Sequence, residues 1–161
     1  AGGRVERLPD VVAARLQRNF PRAAAAVRCI HVDSPLTVLF IIACISVHFC
    51  NTFASPVGVK FTQTYFSVHP RWAFRAMSPL AYWRLFSHCL GHGSWDHLSH
   101  NLVNLLLVAP ACERHYGAFQ FAKIIAYTAL ASGLAHMAFG PENAIQMGAS
   151  GVVFCMILLS S

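Results

Sequence analysis

From Leu36 to Phe53 the chain runs eighteen residues without an Asp, Glu, Lys or Arg. As a helix, a run of that length rises about 27 Å, close to the hydrocarbon thickness of a bilayer. A helix satisfies its own backbone at that depth, which an open strand does not. Asp33-Ser34-Pro35 stands directly ahead of it, a capping side chain followed by proline at the first turn. The run therefore predicts a membrane-crossing helix.

Three more apolar stretches follow. One covers about 97–112 and ends at Glu113-Arg114; the next covers 118–139 and is closed by Gly140-Pro141. A fourth opens at Gly148 and is still apolar at Ser161, so the chain, which begins with Ala1, is expected to be a segment of a longer protein. The fold expected is all-α, a polytopic transmembrane helix bundle cut within its fourth span. Composition agrees: 56% of residues are apolar and 11% charged, against about 25% charged in soluble domains.

Residues 1–33 form an Arg- and Ala-rich arm whose Val11, Val12, Leu16 and Phe20 give it an amphipathic stretch. Interfacial helix, targeting remnant and soluble arm are all compatible with it, and an organelle membrane is compatible with it too. Six of the twelve basic residues lie in this arm. Their flanking position suits membrane orientation rather than nucleic-acid binding, and together with Arg114 and Lys123 they favour a cytoplasm-like side for the N-terminus. Between the first two spans, residues 54–94 read as a loop broken by Pro56, Gly58, Pro70 and Pro79. Its Phe61, Tyr65, Phe66, Trp72 and Phe74 suit the headgroup region. The six cysteines show no Cys-x-x-Cys spacing and predict no metal site.

Two constellations carry chemistry. In the second span His97, Asn101 and Asn104 fall on one helical face, with Leu98, Leu102, Leu105 and Leu106 assigned to the other. Interhelical hydrogen bonding explains such polar residues as well as a site does. The fourth span opens with Gly148-Ala149-Ser150-Gly151, which puts a serine at a helix N-terminus beside free N–H donors. That suits an acyl-transfer nucleophile, although a small-residue helix contact is an equal explanation. With alternating spans, the two groups enter from the same side at similar depth.

In order and spacing these residues resemble the rhomboid intramembrane serine proteases: Trp83-Arg84, His88, His92, His97-x-x-x-Asn101, Glu113-x-x-x-Gly117 and Gly148-Ala149-Ser150-Gly151. The resemblance implies that Ser150 is the nucleophile and that His97, Asn101 and the Ser150 backbone N–H form the oxyanion hole. It makes His92, Gly148 and Gly151 their immediate neighbours. Trp83 and Arg84 would anchor the first loop, Glu113 would help hold loop and helix ends together, and Gly117 completes that structural motif. It implies no metal or organic cofactor, and as partners the bilayer and membrane-protein substrates with helix-destabilising transmembrane segments, not nucleic acid. The family's general base is a histidine on a sixth span, so the segment alone is expected to be inert; His136 is a poor substitute. Two rivals remain: a rhomboid-like protein that binds clients without cutting them, and a di-iron membrane oxidoreductase suggested by His88-x-x-x-His92 and His97-x-x-His100.

Overall fold

The computed structural model describes residues 34–53, 58–69 and 78–160. The N-terminal arm, Trp72 and Phe74 lie outside the described residues. The fold is all-α: α1 Pro35–Phe53, α2 Gly58–Tyr65, α3 Pro79–Ser87, a 3-10 turn His88–Leu90, α4 Trp95–Tyr116, α5 Ala118–Phe139 and α6 Ser150–Ser160. Among the described residues, extended pairing is confined to one antiparallel bridge, Val68 with Gln146. Two of the helices among the described residues, α1 and α5, are long and apolar enough to cross a membrane, with mean hydropathy 2.0 and 1.2 over their best windows.

The start of α1 is capped from elsewhere. Pro35 has no N–H, and the next two donors are taken by Glu113 at the end of α4: Leu36 N donates to Oε1 at 2.9 Å and Thr37 N to Oε2 at 2.7 Å. Ser34, well placed in sequence to cap its own helix, instead donates its hydroxyl to Pro110 O at 3.3 Å. The N-terminal end of α1 is thereby tied to the C-terminal end of α4.

The helix α4 is longer than its apolar stretch. Ser94 is its N-cap, accepting from His97 N at 3.1 Å, so the helix begins at Trp95 with Asp96 in its favourable first turn. The expected division of α4 into a polar and a leucine face is corrected here. Leu98, Asn101, Leu105, Ala109, Cys112 and Glu113 form one buried stripe, because steps of three and four residues keep a single face inward. Leu106 and Asn104 are exposed, and Asn104 Nδ2 folds back onto His100 O at 2.9 Å. Against this stripe pack Ala149, Val152, Val153 and Met156 of the fourth apolar segment, with Phe121 and Ala129 of α5.

Of the two small-residue pairs on α5, Ala129 and Gly133 are buried while Ala131 and Ala135 are exposed. A β-carbon added to Gly133 would lie 3.3 Å from Leu85 Cδ2 of α3, so the small residue sets that helix approach. The stretch 54–94, expected to be a loop, is corrected here: it contains α2, α3 and the 3-10 turn, despite its breakers. The last carbonyls of α2 are satisfied by α3: Arg84 Nε donates to Thr64 O at 2.6 Å and Ser87 Oγ to Tyr65 O at 2.7 Å.

Candidate active site

Three chain segments meet ahead of α6. The first is the turn Gly148-Ala149-Ser150. Gly148 has φ +120°, a conformation that side-chain-bearing residues rarely adopt. A β-carbon there would lie 2.7 Å from His97 Nε2, 2.6 Å from His97 Cε1 and 3.6 Å from Asn101 Nδ2. The second segment, the N-terminal half of α4, therefore brings its imidazole and amide to the backbone two residues before Ser150. Asn101 Nδ2 is buried and has no hydrogen-bond partner. An unused buried donor costs about 1–3 kcal/mol, and here it faces the turn that leads to the serine.

The third segment is the link from the 3-10 turn to α4. His88 O accepts from Gly148 N at 2.9 Å, and His92 Nε2 accepts from Ala149 N at 3.4 Å. His92 Nδ1 faces Leu90 O at 3.2 Å. These two contacts require the neutral ring protonated on Nδ1, since a carbonyl only accepts and an amide N–H only donates. Burial above all pushes the His92 pKa down to about 4, helped by His97 and His48 nearby. Its ring stands edge-on to that of His97, with centroids 5.1 Å apart.

With Gly148 and Ala149 held in this way, the ladder of α6 opens with Val153 N on Ala149 O at 2.9 Å. The N–H groups of Ser150, Gly151 and Val152 precede that first bond, at the positive end of the helix. Ser150 itself is half-buried. The arrangement offers a hydroxyl, unused N–H donors, an imidazole edge and an amide, which is a chemistry suited to stabilising an alkoxide-like oxygen.

The remaining predicted residues act at a distance from this turn. Gly151 faces Ser132 of α5, where a β-carbon would find ordinary contact at 3.5 Å. Ser132 Oγ in turn lies 3.2 Å from His88 Nε2. Trp83 is half-exposed with its ring edge-on to Phe66. Gly117, at φ +79°, joins α4 to α5 and returns its N–H to Glu113 O at 2.8 Å. His136 Nε2 is turned to Ala144 O at 3.2 Å.

Sequence reasoning missed two residues that shape the site. A β-carbon on Gly91 would run into Phe66 O and lie 2.9 Å from Thr62 Cγ2, so only glycine fits where α2 crosses the link. His48 is buried beneath the same link. Neither belongs to a spacing pattern; a histidine inside an otherwise apolar run was the one signal available for His48.

Comparison with known proteins decides the family. A family model described as the Rhomboid domain matches residues 79–161, from the start of α3 onward. The chain belongs to the rhomboid family. It is 32% identical over 73 residues to YdcA of Bacillus subtilis (strain 168), provisionally named a rhomboid protease, a match covering 45% of this chain and 37% of that protein. It is 33% identical over 69 residues to rhomboid-like protein 11, chloroplastic, of Arabidopsis thaliana, covering 43% of this chain and 25% of that one. The chain thus matches less than two fifths of either relative's length. Family membership and two apolar helices long enough to cross a bilayer make this a membrane protein.

Proposed function

We propose that this chain carries the nucleophile and oxyanion-binding part of a multi-pass intramembrane serine endopeptidase. Ser150 attacks the scissile carbonyl of a transmembrane substrate, its proton passing to a histidine elsewhere in the complete protein. The carbonyl oxygen gains negative charge as the C–O bond forms. His97, Asn101 and the Ser150 N–H donate to it, collapse of the intermediate expels the amine as that histidine returns the proton to it, and water then hydrolyses the acyl-serine to release the acid and restore the hydroxyl. A helical substrate must first unwind locally, because each of its carbonyls is already bonded within the helix.

The observation that carries the proposal is the unpartnered Asn101 Nδ2, buried beside His97 at the Gly148 turn. A bundle-stabilising asparagine would be expected to have found a partner. Both ring nitrogens of His88 and His92 are engaged with protein groups, which weighs against a histidine-box iron site. The test is cleavage of a transmembrane reporter by the complete protein in proteoliposomes. Ser150→Ala should abolish cleavage and labelling by a fluorophosphonate while leaving the thermal transition in place. Cleavage that persists in Ser150→Ala refutes the proposal. Substrate capture without cleavage by the unaltered protein favours the client-binding rival.

A further inference from the structure

His48 takes no part in any motif above, yet it is 3% exposed on α1 and contacts both the link that carries His92 and the first residue of α4. Its Nδ1 lies 3.3 Å from His92 O. A carbonyl only accepts, so the proton is on Nδ1 and Nε2 is a bare lone pair, buried and without a partner. Its ring stands edge-on to that of Trp95, the first residue of α4, with centroids 4.3 Å apart. From the other side α2 closes on the same link at Gly91, and Thr62 N is held by Asn51 Oδ1 at 3.2 Å, one turn beyond His48 on α1.

An imidazole with a stranded lone pair is an expensive way to fill space on an apolar helix. Phenylalanine would fill the same space against Trp95 with no stranded lone pair of its own. What phenylalanine lacks is a donor for the His92 carbonyl. That carbonyl belongs to the residue whose ring receives the Ala149 amide, so the chain of contacts runs His48 Nδ1, His92 O, His92 Nε2, Ala149 N, and ends beside Ser150.

We propose that His48 is a positioning residue of the active site: the bond from its Nδ1–H to the His92 carbonyl fixes the His92 ring against the Ala149 amide and so sets the turn that presents Ser150. This rests on Ser150 acting as nucleophile, and the experiment separates the two claims.

Turnover of a transmembrane reporter by the complete protein is measured as kcat and KM for the unaltered protein, Ser150→Ala, His48→Phe and His48→Asn. The asparagine amide reaches approximately where Nδ1 stands and keeps the donor. His48→Phe should lower kcat about tenfold with KM within about twofold, and His48→Asn should recover kcat to within about threefold of the unaltered protein. Unaltered kcat in His48→Phe overturns the inference, and so does His48→Asn no better than His48→Phe. The imidazole 15N spectrum of the unaltered protein needs no variant to fold: His48 should be the Nδ1–H tautomer, and an Nε2–H tautomer overturns the inference. Cleavage surviving Ser150→Ala fails the nucleophile instead, whereas a dead Ser150→Ala beside a fully active His48→Phe fails His48 alone.

Discussion

The carboxylate of Glu113 holds Thr37 twice, accepting from its backbone N at 2.7 Å and from its hydroxyl at 2.8 Å. With Leu36 N on the other oxygen at 2.9 Å, one side chain 2% exposed answers the free donors at the start of α1. Hydrogen bonds to a charged acceptor contribute about 1.5–3 kcal/mol each, and stranded donors add a desolvation cost. Glu113→Ala should therefore destabilise the protein by about 3–5 kcal/mol. Glu113→Gln, which turns an NH2 toward one donor, should fall between the two. Denaturant unfolding in detergent reads this directly, and an unchanged midpoint for Glu113→Ala would mean the cap contributes nothing.

Asn101 should show the opposite balance. Its Nδ2 is buried and unused at rest, so removing it relieves the fold of an unsatisfied group. Asn101→Ala should stay within about 1 kcal/mol of the unaltered stability while losing about 10²–10³ in kcat, the scale of one oxyanion donor. A loss of stability as large as that of Glu113→Ala, with kcat intact, would make Asn101 a structural residue.

The parts of this molecule legible in its sequence are those governed by local periodicity. The uncharged run at 36–53 and the segment at 118–139 became α1 and α5 because span length and apolar content act within one helix. The four-residue step from His97 to Asn101 likewise needs only helical geometry. Asn104 shows where this stops: it shares a helical face with them, but its amide turns to His100 O because no neighbouring helix covers that side among the described residues. The trans-cap by Glu113, the helix α2 between breakers, and His48 beneath the His92 link all depend on segments far apart in sequence. No window of one chain segment contains that information.

The two glycines flanking Ser150 look alike in sequence and are not equivalent. At Gly148 a methyl group would sit 2.7 Å from His97 Nε2 on a backbone with φ +120°. Gly148→Ala should cost about 1–3 kcal/mol in strain and displace the imidazole, lowering kcat by at least about 10²-fold. At Gly151 the added methyl would meet Ser132 at 3.5 Å, an ordinary contact inside a helix. Gly151→Ala should keep kcat within about threefold and gain up to about 1 kcal/mol from reduced backbone entropy. Equal inactivation of both variants would contradict this account of the turn.

Acid should act on the fold through His92. Its pKa is lowered by burial from 6.5 to about 4 in the folded protein. Between those values the unfolded chain binds a proton at this ring that the folded chain does not, so the His92 contribution to stability falls as pH falls from 6.5 to about 4 and changes no further below it. The full window amounts to about 3 kcal/mol from this one group. Below about 4 the ring acquires a second N–H, and the bond from Ala149 N is replaced by two donors facing each other. Unfolding midpoints of the unaltered protein and of His92→Gln, compared at pH 7.5 and 4.5, isolate this contribution. Glutamine has no titrating group, so its midpoint should shift less between the two pH values, and equal shifts in both proteins would remove His92 as the source of acid sensitivity.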